Sequence, residues 1–359
     1  MSSDPYFSID DHVLVSRIEE HLSKPCKELV CYTSGSHHRI YRATLYDDTC
    51  VIARVHFPSL RRPGTGNGIT PSGKMMSEIA TMKFVKENTK IPVPEVLAYD
   101  SDEDGKVGGE GMLMEYVDGL DVQEAWQNMD EDQRALAVQA IADVWVELLG
   151  LRFSRIGSIW EDGRNGFKVG PMTFMPSNNI YTLSAPDPNK CGPFESPRDM
   201  NYKLSLHRDD AQLRHKDTVI QKIMDDGVLP ELPDDHLSRI ALEHKDMNYS
   251  NIVLDPMDPT TIKSVIDWEG ARTVPLWAIQ PRPFLDFDMP IMGEEDKKKY
   301  QRLFRSYVGE KVPDWLAATG EPGKTLRSYL GLAQRSTLLQ AEEFFERGDR
   351  WQQGLDNLQ

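Results

Sequence analysis

The segment EHKDMNYSNIVL, residues 243 to 254, sets a histidine, an aspartate and an asparagine just before a β-prone run. KSVIDWEG, residues 263 to 270, sets another aspartate just after a second such run. Between them DPMDPTT carries two Asp-Pro steps, a turn signal that predicts an antiparallel hairpin. The residue entering the first strand and the residue leaving the second then share one end, so Asn251 and Asp267 face each other although sixteen residues apart. Their amide and carboxylate oxygens are hard ligands suited to Mg²⁺, which keeps several waters and also binds substrate phosphates. Asp246, five residues before Asn251, sits beside that metal without needing to ligate it and is placed to act as a base. A base for an acceptor hydroxyl, two magnesium ligands and a cation on the phosphates are the parts of a phosphoryl-transfer loop. His244 reads as a brace for that loop rather than a substrate contact.

These loops need a scaffold. At 359 residues the chain exceeds the size at which one core tends to divide, so two lobes are expected. RIYRATLY (39 to 46) and CVIARV (50 to 55) are strand-like runs parted by the turn-prone DDT. PSLRRPGTGNGITPSGK (58 to 74) reads as a mobile loop. Met76, Ile79, Ala80 and Phe84 then predict a helix with Ser77 and Glu78 near its start. Pro92 and Pro94 bar its continuation and favour an extended entry into another strand. EGMLMEYVDG (110 to 119) is a strand closed by Asp118-Gly119, and the composition changes after it, which separates residues 1–117 from 118–359. Val138, Ile141, Ala142, Trp145, Leu148 and Leu149 recur as the core-facing stripe of a long helix. Residues 157 to 200 read as loop-like, and the chain reads as helical from about 286, so the expected class is α+β.

Composition narrows the partners. Lys and Arg total 41 against 57 Asp and Glu, and the resulting charge of −16 repels nucleic acid and anionic lipid. No window approaches the ~18 uninterrupted apolar residues of a membrane helix. Cys26, Cys31, Cys50 and Cys191 form no CxxC pair, which argues for reduced thiols and against structural zinc. The N-terminal residues show no basic segment followed by an apolar one, so a cytoplasmic location is expected.

At HKDMNYSN and VIDWEGA the chain resembles the aminoglycoside phosphotransferase and choline kinase-like family, which has a bilobal protein-kinase-like fold. TSGSHHRIYRA is similar to that family's nucleotide loop, CVIARV to its cation-bearing strand, and SEIATMKFVKENTKIPVPEVLAYD to its glutamate-bearing helix and the run after it. GMLMEYVDG is similar to its adenine hinge. The resemblance covers roughly residues 29 to 290. It implies a small β-rich N-terminal lobe, a larger mainly helical C-terminal lobe, and ATP and Mg²⁺ as cofactors. It implies Asp246 as catalytic base, Asn251 and Asp267 as metal ligands, Arg54 as the cation on the α/β-phosphates and Glu78 as its ion-pair partner. Ser34, Gly35 and Ser36 would lie at the nucleotide loop, and the backbone of Glu115 and Val117 would meet adenine. Glu269 is either an outer support of the metal or a surface acid.

Departures from the family pattern matter. Arginine stands at 54 where protein kinases carry lysine, though its fixed fork can hold phosphate. The nucleotide loop has Gly35 alone, and His37 and His38 are either phosphate contacts or exposed loop residues. Asn248 stands where protein kinases have lysine and no A-P-E follows DWEG, so a protein substrate is disfavoured. The expected acceptor is a small molecule with a hydroxyl, a cationic one included, held by the C-terminal lobe. Trp160, Phe167, Phe174, Tyr181, Phe194 and Trp277 are either its walls or core, and Asp286 and Asp288 either pair with a substrate amine or anchor the catalytic loop. Two functions are open: a Mg²⁺-ATP-dependent small-molecule kinase, or a degenerate nucleotide-binding or regulatory protein without transfer.

Overall fold

The computed structural model describes residues 9–35, 38–57, 71–102, 104–173, 191–197, 199–200, 235–279 and 292–327. Helix α1 (Asp11–Leu22) starts at Asp10, whose carboxylate accepts from the His12 and Val13 amides at 3.0 and 3.1 Å. It lays Leu14 and Ile18 on a five-stranded antiparallel sheet. The strands are β1 (Cys26–Ser34), β2 (His38–Leu45), β3 (Cys50–His56), β4 (Val96–Asp100) and β5 (Gly111–Glu115), in the order β1-β2-β3-β5-β4. Successive side chains of a strand point to opposite faces of its sheet. Val51, Ala53 and Val55 point into the core beneath α1, so Arg54, between them in sequence, points to the opposite face.

That face is covered by α2 (Pro71–Asn88), which is buried along most of its circumference and lies between the sheet and a hairpin of β7 (Ser158–Glu161) and β8 (Phe167–Gly170). Ser77 Oγ donates to Ile159 O at 2.9 Å across this junction. These elements correct two expectations. The helix begins at Pro71 rather than after residue 74, because proline's fixed φ suits a first helical turn; residues 58–70 of the expected loop lie outside the described residues. Residues 158–170 are not loop-like, since Ser158 to Glu161 pair with Gly170 to Phe167 around the turn at Gly163–Asn165. Helix α1, strand β1 and the later strand β12 (Arg272–Pro275) also lack a sequence signal, β1 because it is an edge strand with mostly exposed side chains and no clean alternation.

Beyond β5 the chain enters β6 (Leu120–Asp121), α3 (Val122–Trp126) and α4 (Glu131–Gly150). Gly119 lies so close to β10 (Ile252–Leu254) that an added Cβ would meet Val253 Cγ1 at 2.4 Å and Leu254 O at 2.6 Å. Asp130 and Gln133 form a reciprocal capping box at the start of α4. Its apolar stripe packs on α5 (Glu294–Lys311), with Trp145 and Phe304 rings 6.1 Å apart, and Phe304 continues to Trp315 of α6 (Pro313–Ala318). Among the described residues no helix is long and apolar enough to cross a membrane.

Two small sheets hold the site. β10 pairs antiparallel with β11 (Ile262–Val265) on one side and β6 on the other, while β9 (Ile240–Glu243) pairs with β12 (Arg272–Pro275). Arg272 Nε donates to Glu243 Oε2 at 2.6 Å, and both side chains are buried. Removing one partner of such a pair leaves a buried charge uncompensated. Arg272→Met is therefore expected to lower unfolding free energy by about 3–5 kcal/mol, measured by denaturant titration. Adding Glu243→Leu to that variant should recover part of the loss.

Candidate active site

Strand β9 leads into a loop at 244–251 and β10 leads out of it. Lys245 has φ 75°, a left-handed turn that carries Asp246 away from the core. Asn248 Nδ2 donates to Asp246 Oδ1 at 3.1 Å, and Asn251 Nδ2 donates to Asp246 O at 2.7 Å and to Oδ2 at 3.3 Å. These acceptors require N–H, which fixes the Asn251 amide orientation and leaves its oxygen facing away from Asp246. The hairpin β10–β11 pairs Ile252 with Val265, and Ile266 N donates to Asn251 O at 2.9 Å, so Asn251 and Asp267 flank one end of it.

Asp267 also has a left-handed backbone, φ 61°. Aspartate tolerates this better than most residues, yet it persists only where neighbours enforce it. Trp268, fully buried, donates from Nε1 to Val265 O at 3.0 Å and lies 4.4 Å from the His244 ring. His244 Nε2 is 3.0 Å from Ile266 O; a carbonyl only accepts, so Nε2 carries the proton. Burial lowers the His244 pKa against the pull of Asp267 and Asp246, which keeps the ring neutral. His244 thus braces both arms of the site from inside.

Arg54 reaches this end of the hairpin from β3. Its Nη1 donates to Glu78 Oε2 at 2.5 Å, and its Nη2 donates to Asp267 Oδ1 at 2.7 Å and to Glu269 Oε2 at 3.2 Å. The Glu78, Glu269 and Arg54 side chains are 3%, 5% and 8% exposed, whereas Asp267 is 29% exposed. Burial alone would lower the Arg54 pKa, but the three carboxylates outweigh it and raise it. One guanidinium cannot balance three anions, so burial and mutual repulsion push Glu78 up to about 7 and raise Glu269 as well. The cluster calls for a further cation.

Lys74 and His38 stand nearest to supplying one. Both line a cleft with Arg54, Glu78 and Glu269, and His38 Nδ1 is 3.7 Å from Glu269 Oε2. Lys74 went unread because its segment looked like loop. His38 is not an exposed loop histidine: its side chain is 16% exposed and its ring meets His56 edge-on at 5.0 Å. Nor is Glu269 a surface acid.

Among the described residues, the other expected positions lie apart from this cleft or in the core. Ser34 pairs with Arg39, and the Gly35 amide donates to His38 O at 2.9 Å, closing the β1–β2 turn; Ser36 and His37 lie outside the described residues. Glu115 ends β5, with its amide donating to Glu95 O at 2.9 Å, and Val117 comes two residues later, half-buried. Phe194 and Trp277 are fully buried core, and Phe167 packs on Phe84 at 5.5 Å. Trp160, half-buried, donates to Pro171 O at 2.9 Å. Phe174, Tyr181, Asp286 and Asp288 lie outside the described residues. Among the described residues no three His, Cys, Asp or Glu side chains converge as a complete metal cage. An amide and a partly exposed carboxylate flanking one end of the hairpin, Asn251 and Asp267, nonetheless have the oxygen chemistry of a hard cation that takes few protein ligands.

A family model described as the phosphotransferase enzyme family (APH) matches residues 32–278, more than half of the chain. The chain belongs to this family. Its fold is accordingly the protein-kinase-like α+β arrangement, with the five-stranded sheet in the N-terminal part and α4, α5 and α6 in the C-terminal part. Among curated proteins it is similar to Altered inheritance of mitochondria protein 9, mitochondrial. The Meyerozyma guilliermondii protein is 28% identical over 43% of this chain and 25% of its own length; the Candida glabrata protein is 20% identical over 90% and 65%. The matches thus span from a quarter to less than two thirds of those relatives. A solved structure, the streptomycin-ATP-APH(2")-IIa ternary complex, aligns at 12% identity and TM-score 0.48 over 90% of this chain and 87% of that one. The relatives' mitochondrial names correct the cytoplasmic expectation. Lack of a secretory pattern speaks to one export route only, because mitochondrial leaders are amphipathic, Arg-rich and poor in acids.

The raised Glu78 carboxyl makes stability depend on pH. Between its ordinary 4.5 and about 7 the folded protein keeps a proton that the unfolded chain has released, so stability falls as pH rises through this window. Below 4.5 both states hold the proton and the penalty is absent. The melting temperature of the protein, relative to Glu78→Gln, is expected to drop across that range; a constant difference would contradict the raised Glu78 carboxyl.

Proposed function

We propose that this chain transfers the γ-phosphoryl group of Mg²⁺-ATP to a hydroxyl of a small molecule. What supports the reading most is one juxtaposition: Asp246, Asn251 and Asp267 meet at one end of the β10–β11 hairpin, directly opposite Arg54 and Glu78. Residues 1–117 would form the nucleotide lobe, with Gly35 and its neighbours over the phosphates and the backbone of Glu115 and Val117 at adenine. Because the Glu115 amide already donates to Glu95, an adenine contact there would use the carbonyl. Residues 118–359 would carry the catalytic loop and the acceptor.

In this reading Asp246, steadied by Asn248 and Asn251, accepts the proton of the acceptor hydroxyl. The freed oxygen attacks the γ-phosphorus, the bond from phosphorus to the β–γ bridging oxygen breaks, and ADP leaves. Asn251 and Asp267 would hold magnesium, whose contribution is to neutralise charge on the phosphate oxygens. Arg54 keeps Asp267 and Glu269 aligned and is itself anchored by Glu78. A nucleotide-binding module without transfer is the second reading, favoured by the guanidinium that engages Asp267.

Asp246→Asn separates the two. Transfer to a hydroxyl acceptor, followed as ADP release, should fall by about 10²- to 10⁴-fold while Mg²⁺-ATP binding by calorimetry survives. Unchanged transfer would remove Asp246 as the base, and no transfer by the wild-type chain to any acceptor, with binding intact, would favour the module. We also infer from the relatives' names that the chain works in mitochondria. Recovery of the native protein in the mitochondrial fraction is expected, and recovery in the cytosol alone would overturn that location.

A further inference from the structure

We propose that Lys74 is a phosphate-binding residue for the nucleoside triphosphate, and that Arg54 serves chiefly to organise the acidic groups around it. The inference rests on the phosphotransfer reading above, because it names a further contact within that site.

A guanidinium has five N–H bonds in a fixed fork, two of them on each terminal nitrogen. Both hydrogens of Arg54 Nη2 are spent on Asp267 and Glu269, and one of Nη1 on Glu78. The arginine therefore faces the cleft with its positive charge divided among three carboxylates. An incoming phosphate would have to compete with all of them.

Lys74 is placed differently. It lies four residues before Glu78 on α2, one turn away on the same helix face, and borders the cleft beside Arg54, Glu78 and Glu269. The residue is half-buried, its ammonium makes no hydrogen bond among the described residues, and it senses Glu269 only through space. Desolvation of this kind is costly for a cation unless an anion arrives to pair with it. An ammonium on a flexible stem is also a compact point charge with three donors, suited to phosphate oxygens. Glu269 attracts the ammonium toward the cleft without binding it, and burial lowers its pKa against that attraction.

The test is a calorimetric titration of the full chain at fixed Mg²⁺, with ATP and with adenosine, which lacks phosphates. Lys74→Met is expected to weaken ATP binding by about ten- to a hundredfold, the effect of one charge-assisted hydrogen bond, and to leave adenosine affinity unchanged. Lys74→Arg should recover part of the loss. Wild-type ATP affinity in Lys74→Met overturns the inference and leaves the phosphotransfer reading standing. Equal losses for ATP and adenosine also overturn it, since they mark a structural effect. A wild-type chain that fails to bind ATP overturns the reading and the inference together. Should Lys74→Met not fold, Lys74→Gln enters the same titration.

Discussion

The single positive charge of Arg54 meets carboxylates from two separate parts of the chain, Glu78 on α2 and Asp267 with Glu269 after β11. Much of the architecture exists to make that meeting possible. The period of β3 turns Arg54 away from the core beneath α1, α2 presents Glu78 to it, and the hairpin end delivers the other two acids. None of these elements can shift without uncovering a buried charge, which is costly in a medium that solvates ions poorly. Electrostatics thereby adds to a continuous apolar core, in which Ile79, Val85 and Met112 are clustered with Ile141, Ile252 and Trp268.

The backbone bears the complementary constraint. Lys245 and Asp267 both take left-handed conformations, one at each arm of the site. Behind them His244 and Trp268 are buried against one another, and each bonds to a carbonyl of the strand exit, Ile266 O and Val265 O. A neutral histidine suits this place because it donates once without importing a charge. The two left-handed residues thus sit against two buried aromatic rings, whose packing offsets the backbone strain.

Much of this was legible in the sequence because it is local. The spacing of His244, Asp246, Asn251 and Asp267 around two β-prone runs and a double Asp-Pro turn contains its own geometry, since a hairpin maps sequence distance onto spatial contact. Arg54 was legible through the resemblance of CVIARV to the family's cation-bearing strand. The features that stayed hidden depend on tertiary contact. The start of α2 at Pro71 is masked by a Gly- and Pro-rich neighbourhood, and Lys74 was lost with it. Burial of Glu269 and His38 arises only from Arg54 and Glu269 meeting across the chain. The cross-strand pair of Arg272 and Glu243 joins β9 and β12, strands too short to announce themselves by periodicity. The role of Phe194 and Trp277 as core had no sequence signal to separate it from a pocket wall.

Charge balance links the resting site to the chemistry proposed for it. With Arg54 counted once and Glu78, Asp267 and Glu269 fully ionised, the cluster would carry a surplus of negative charge, and burial with mutual repulsion raises the Glu78 and Glu269 pKa values accordingly. A nucleoside triphosphate brought in alone would add negative charge to a site that already sheds it. Entry together with a divalent cation would reverse the balance in the proposed reaction, with the cation on Asp267 and Asn251 and Lys74 toward the phosphates. Arg54, released in part from Asp267, would still be anchored by Glu78. On the proposed reading, the same carboxylates that leave the cleft electrostatically unsatisfied would favour an anion that arrives with its metal.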